Sequence, residues 1–412
     1  MIRIPDIETL RPQGIASDGR IVFFPSESTD LVKVDWLFEA GSAYQPQALC
    51  ASAASKQYSM ATRRMSSAEL AEFVDFRGVV YETNSEVLQS SLTLYMLRRH
   101  AEEMLSVVNE MFTNPAFSEE DYKVWQAKRY EEIATLERRS ATMARRCFYE
   151  ALFGKEHPLG RYAIADDVYK LELETVKDFW EKHYDLGRCR VVVAGNTDDR
   201  LLNTLHETLP ISTCNNNIIS ALSFSDVRAT KIHLPMTDAT QTSLRIGRVL
   251  PIVWDSMEYA RFMILTTLLG GYFGSRLMSN LREDKGYTYG VYARTQIYRG
   301  VIVFYITADV AAGTAEAAVG EVFNELQRLC EELVGDDELG LVKNVLVGDF
   351  LRSVDGVFEL SGRYCDMLGT SVDERLTANL NDAINDTTAA ELQELAQRLL
   401  NVNDMTVCTA GV

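Results

Sequence analysis

At 412 residues, with 47% apolar and 24% charged side chains, the chain has room for two cores of roughly 200 residues each, in the balance of a globular protein. A net charge of −18 excludes a protein built to grip phosphate backbones, so nucleic acid is not an expected partner; the acidic surface serves solubility first and attraction for basic peptides second. The start has no basic stretch followed by an apolar run, and no stretch of about 20 uninterrupted apolar residues follows, so no membrane partner is expected and a cytoplasmic location is the default.

Taken in chain order, the first strand is 31–39, where Val32, Val34, Trp36 and Phe38 alternate with Lys33, Asp35 and Glu39 to give one apolar face. After Gly41-Ser42, an Ala-rich stretch predicts a helix over about 47–64. The capping-box pattern of Ser66 and Glu69 then opens a short helix that closes near Gly78. Alternation returns over Ser90–Leu97, and Met104, Val107, Val108 and Met111 stand at helical spacing until Pro115 stops the run. Ser118 caps a long helical region reaching about Phe153, with Glu119, Glu120 and Asp121 at its positive end. Arg190–Gly195 reads as a buried strand that closes the first half.

The second half repeats this plan. The strand from Ser91 and its helix to Phe112 overlay the strand from Val301 and its helix to Phe323. Downstream, the helical region opened by Phe117-Ser118-Glu119 and ending at Phe153-Gly154 overlays the one opened by Gly335-Asp336-Asp337 and ending at Leu368-Gly369. Strand, helix, strand, helix, long helix therefore occurs twice, as in a tandem duplication of one α+β unit. Between the copies, from Pro210 to about Ala229, Asn215-Asn216-Asn217 and the lack of periodicity predict an exposed linker. The expected organisation is a first domain over 1–212, a linker over 213–229 and a second domain over 230–412.

The chain resembles the pitrilysin/insulinase-type metallopeptidases, whose two-chain members include the mitochondrial processing peptidase. In the first half the resemblance rests on Gly41-Ser42-Ala43-Tyr44 and the helix after it, Asn114-Pro115-Ala116-Phe117, His157-Pro158-Leu159-Gly160 and the Val191-to-Gly195 strand. In the second half it rests on the run from Leu269-Gly270-Gly271 to Arg276-Leu277 and on Leu281-Arg282-Glu283-Asp284-Lys285-Gly286-Tyr287-Thr288-Tyr289. It implies an α+β fold of two tandem duplicated α/β-sandwich domains of the processing-peptidase type.

In catalytic members of that family the helix after Gly-Ser carries His-x-x-Glu-His, and a further Glu ligand lies roughly 75 residues on. Two imidazoles one helical turn apart share a zinc ion, and the intervening Glu takes a proton from the metal-bound water. Here the corresponding positions are Ala54-Ser55-Lys56-Gln57-Tyr58, so Ala54, Gln57 and Tyr58 form a degenerate motif that cannot build the site. No metal is expected in this chain. The 5 histidines, His100, His157, His183, His206 and His233, contain no pair at metal-binding spacing. Glu131 and Glu132 fall near the third-ligand position but read as a solvated helix face. The 7 cysteines (50, 147, 189, 214, 330, 365 and 408) form no Cys-x-x-Cys pair and read as reduced core thiols.

What the resemblance leaves is an Arg and a Tyr seven residues apart, placed at Arg282 and Tyr289. A guanidinium can anchor substrate carbonyls, and a phenol can donate to the oxyanion of a tetrahedral intermediate. The structural alternative is that Arg282 pairs locally with Glu283 or Asp284 and Tyr289 fills a strand. Gly270, Gly271 and Gly274 lack the Lys-Ser/Thr of a phosphate loop, so they predict a close turn before a helix at Ser275. The first expectation is a non-catalytic subunit that binds peptide and supplies Arg282 and Tyr289 to the zinc site of a homologous zinc-bearing partner. The second is a structural or peptide-binding homodimer. A third, remote one is a peptidase with an unorthodox metal site.

Overall fold

The alternating segments assemble into two sheets of one connectivity. The computed structural model describes residues 11–15, 19–210, 221–224 and 228–412. Cys214 and most of the predicted linker, 213–220 and 225–227, lie outside the described residues. The first half contributes β1 (Gly14–Ile15), β2 (Ile21–Pro25), β3 (Leu31–Phe38), β4 (Val80–Ser85), β5 (Ser90–Leu97) and β6 (Arg190–Gly195), in the order β1-β2-β6-β3-β5-β4. The second contributes β7 (Lys231–Pro235), β8 (Gln241–Val249), β9 (Thr288–Tyr298), β10 (Val301–Ala311) and β11 (Thr406–Gly411), in the order β7-β11-β8-β10-β9. Leaving β1 aside, each sheet pairs its first strand in parallel with its last and every other neighbour antiparallel. Repetition of a pairing plan this particular is the duplication that the sequence overlay predicts, and the fold is the expected α+β one.

Each sheet buries one face beneath its own helices. In the first half these are α1 (Cys50–Gln57), α2 (Ser67–Phe76), α3 (Ala101–Thr113), α4 (Glu119–Glu137), α6 (Leu173–His183) and α7 (Asp199–Thr208). Val32, Val34 and Trp36 of β3 share that core with Met104, Val108 and Phe112. In the second half α8 (Met257–Gly270), α9 (Ala315–Glu331), α10 (Asp336–Arg352), α12 (Arg375–Asp386) and α13 (Ala389–Leu399) do the same around Phe262, Phe304 and Leu326.

The remaining two helices are exchanged. α5 (Ser140–Phe153), from the first half, packs on β8 and β11 of the second sheet. α11 (Val357–Thr370), from the second half, packs on β2, β6 and β3 of the first. Phe148 and Leu152 join Val301, Val303 and Cys408 in one small core, while Phe358 and Tyr364 cover Val22, Phe24, Leu37 and Val192 in the other.

This exchange corrects several sequence expectations. The polar face of the first strand does not meet water: Lys33 and Asp35 are 5% and 4% exposed, because α11 lies over them. The long helix over 118–153 is two helices, broken at Arg138 and Arg139, which lets α5 leave its own half and reach the other sheet. The helix expected over 47–64 stops at Gln57; Tyr58 turns into the core and Thr62 pairs with Pro115 across the chain. The described part of the linker, 221–224, is not simply exposed, since Leu222 is 7% exposed and its N–H donates to the Arg299 carbonyl. Among the described residues no helix is long and apolar enough to cross a membrane.

Candidate functional site

At the positions that align with a zinc motif, α1 and the residue after it point all three side chains into the core. Ala54 is fully buried and has no donor atom. Gln57 is buried, and its amide donates to the Met60 sulfur at 3.3 Å while its carbonyl oxygen has no partner. Tyr58 is fully buried with its ring stacked on Phe112, centroids 5.2 Å apart, and tilted against Tyr184 at 5.0 Å. Its hydroxyl has no hydrogen-bond partner, and burial pushes the phenol well above its ordinary pKa.

The neighbouring field is also wrong for a cation. Burial and the charge of Lys128 on α4 together lower the pKa of Lys56. Glu131 and Glu132 are exposed on α4, and Glu132 accepts from Arg129 at 3.1 Å. Among the described residues no three His, Cys, Asp or Glu side chains converge in a geometry that could hold a metal ion. A zinc ion does not fit here: an aromatic plug occupies the volume that ligands and metal-bound water would need.

The Arg/Tyr region is built quite differently. α8 ends at Gly270 against β9, where a Cβ would sit 2.5 Å from the Ala293 nitrogen, so only glycine permits the crossing. The close turn follows, but the helix after it unwinds into a seven-residue π-helix, Met278–Asp284, a rare form seen mostly as short bulges within α-helices and often at functional sites. It is pinned from both sides. Arg276 makes a bidentate pair with Glu338 of α10 at 2.9 and 2.8 Å, and Asn280 donates to Glu321 and Glu325 of α9 at 3.1 and 2.8 Å. Gly286, at φ 64°, then turns the chain into β9.

On this rigid base Arg282 lies over the Phe273 ring, 4.6 Å from its centroid. Its local pair with Glu283 or Asp284 is not formed among the described residues. Tyr289 is 88% exposed and Phe273 62% exposed, and a second pair, Arg294 over Tyr292 at 5.4 Å, extends the ledge along β9. Tyr289 therefore does not fill the strand's buried side. Arg282, half-buried, and Tyr289, exposed, flank the same turn. β9 is an edge strand, so its outer backbone groups are unpaired within the sheet.

A polar cavity of about 650 Å³ between the two halves was not legible as a site in the sequence. Lys33 and Asp35 of β3, Glu86 and Gln89 of the β4–β5 turn, Gln296 at the far end of β9, and Asp366 of α11 line it. Lys33 Nζ lies 2.9 Å from Asp35 Oδ2, and Thr93 donates to Asp35 Oδ1 at 2.7 Å. Burial alone would lower Lys33, yet the charge and hydrogen bond of Asp35, with smaller contributions from Cys365 and Tyr95, together raise the pKa. Asp366 is pushed up by burial and by the charge of Glu86. The only sequence signal was the placement of Lys33 and Asp35 in a strand otherwise made for a core. Beside the cavity, Arg299 clamps Glu39 at 2.6 and 2.8 Å and so ties the second half to the first.

Residues 170–346 match the family described as "Peptidase M16 inactive domain". An uncharacterized zinc protease of Streptomyces coelicolor is 26% identical over 268 residues, 63% of this chain and 58% of that protein. The chain thus spans under two thirds of that relative's length. A non-peptidase homolog of Helicobacter pylori is 20% identical over 70% of this chain and 67% of its own length. Among solved structures, an M16 inactive-domain protein of Pseudomonas fluorescens superposes with TM-score 0.85 at 20% identity, covering 97% of this chain and 98% of its own. A protease from Helicobacter pylori superposes with TM-score 0.86 at 17% identity, covering 98% and 100%.

Proposed function

We propose that this chain, which carries the inactive domain of the M16 (pitrilysin/insulinase-type) metallopeptidases and their fold throughout, is a non-catalytic, peptide-binding subunit that completes the zinc site of a homologous partner chain. The observation that carries the proposal is the contrast between two regions. Tyr58 and its aromatic neighbours pack the positions aligned with the zinc motif shut, while Arg282, half-buried over Phe273 on a pinned π-helix, and Tyr289, exposed on an edge strand, stay outside the core. A tyrosine kept only for packing would bury; Tyr289 is 88% exposed beside the half-buried Arg282. In the complex, Arg282 would hold a substrate carbonyl and the Tyr289 hydroxyl would donate to the oxygen that becomes negative as water adds. The peptide would lie extended along a sheet edge, where backbone groups carry most of the recognition and tolerate varied sequences. The zinc in this scheme belongs to the partner.

The polar cavity favours a second reading, a homodimer that holds peptides without cutting them. Mixing the purified chain with a homologous subunit that has an intact His-x-x-Glu-His, and assaying a fluorogenic peptide, separates the two. Turnover by the mixture but by neither chain alone supports the first reading. There, Arg282→Ala or Tyr289→Phe should slow the mixture by roughly 10²-fold, the scale of one lost transition-state donor. A silent mixture supports the homodimer, and an active mixture with unchanged rates in both variants demotes Arg282 and Tyr289 to structural residues.

A further inference from the structure

α5 crosses from the first half to the second sheet and lays Cys147 against Cys408 of β11, sulfur to sulfur at 3.2 Å. No other pair of described cysteines makes sulfur contact. The two are 261 residues apart in sequence and belong to opposite copies of the duplicated unit. Cys408 is fully buried, whereas Cys147 is half-buried at the rim of the small core formed by Phe148, Leu152 and Val303. The contact with Cys408 lowers the Cys147 thiol and raises that of Cys408. Cys50, Cys189 and Cys365 are instead enclosed and pushed up by burial.

We propose that Cys147 and Cys408 are an oxidative modification site, at which a peroxide forms a disulfide that fastens the exchanged helix to the second sheet. The chemistry needs a reachable thiolate with a resolving thiol beside it, and the rim position of one cysteine and the burial of the other supply both. The Cys147 thiolate attacks the O–O bond of hydrogen peroxide, giving a sulfenic acid and, after proton uptake, one water. The Cys408 sulfur then displaces the sulfenic hydroxyl, which leaves as a second water once it takes up the Cys408 proton. In sum, two thiols are oxidised to one disulfide and one hydrogen peroxide is reduced to two waters. Closing from 3.2 Å to a bonded separation of about 2 Å asks for a shift of about 1 Å, within reach of side-chain torsions on a helix surface. Because the link closes a very long loop, it restrains the unfolded chain strongly and keeps the halves in register.

The test treats the purified full-length chain with hydrogen peroxide, blocks residual thiols and digests with trypsin without reductant. The expected product is the peptide 147–155 joined to 399–412, absent from Cys147→Ser and from Cys408→Ser and released by dithiothreitol. The oxidised wild type should melt roughly 2–5 °C higher than the reduced one, with no such shift in Cys147→Ser. Three results would overturn the site: a blocked Cys408 beside an over-oxidised Cys147, a link from either cysteine to a different one, or a joined product that melts at the reduced temperature. Cys147 is the less enclosed of the pair, so its serine variant keeps the comparison available should Cys408→Ser not fold.

Discussion

Tyr58 shows most directly how the positions aligned with a zinc motif are filled in this chain. Its ring fills a core position between Phe112 and Tyr184, while its hydroxyl finds no partner. Tyr58→Phe should therefore leave stability within about 1 kcal/mol of wild type or raise it, and Tyr58→Ala should cost about 3–5 kcal/mol, both read from urea unfolding. A large loss in Tyr58→Phe would reveal a role for the hydroxyl that the packing does not show. Two histidines give a second residue-level prediction. His183, its ring tilted against Phe179 and bonded to the Glu39 carbonyl, and His157, which accepts from the Leu159 N–H and contacts the Ser223 carbonyl at 2.9 Å, are both held below their ordinary pKa, chiefly by burial. Below about pH 6.5 the unfolded chain then binds more protons than the folded one, so stability falls as the pH drops through that window. The urea midpoint should be lower near about pH 5.5 than about pH 7.5, with a smaller gap in His183→Gln; equal midpoints in the wild type would contradict the assignment.

At the scale of elements, the sequence was most legible where the signal is local. The capping box at Ser66 forms, with Ser66 N–H donating to Glu69 Oε2 at 2.8 Å, and Ser90–Leu97 is the strand its alternation predicts. The exchange of α5 and α11 was illegible, because an apolar helix face does not specify which sheet it will cover. The same ambiguity hid the cavity: Lys33 and Asp35 look like a solvent face until a helix from the other half closes over them. Arg282 and Tyr289 were found through a motif rather than through periodicity. The placement of Arg282 depends on the π-helical turn, which no hydrophobic pattern encodes. Gly270 links element geometry to the proposed function, since a side chain there would push α8 off β9. Gly270→Ala should cost about 1–3 kcal/mol and lower peptide turnover of the mixed subunits as the ledge moves. Full stability and full turnover would show that the crossing is looser than the 2.5 Å approach implies.

For the molecule as a whole, two copies of one unit have become mutually dependent. Each lends the other a helix, and the Arg299–Glu39 clamp adds a charged tie beside the cavity. A fragment of residues 1–212 would lack α11 and expose Val22, Phe24 and Leu37. It should therefore bind a hydrophobic dye and aggregate rather than unfold cooperatively; a well-folded monomeric fragment would argue that the exchanged helix is dispensable. The central claim, that this chain presents substrate-contacting groups but holds no catalytic metal of its own, is tested most directly by the zinc content of the purified chain after exposure to excess zinc and removal of loosely bound ions. The account predicts a content far below one ion per chain, with no peptide cleavage. One tightly held zinc per chain, together with cleavage by the chain alone, would contradict it.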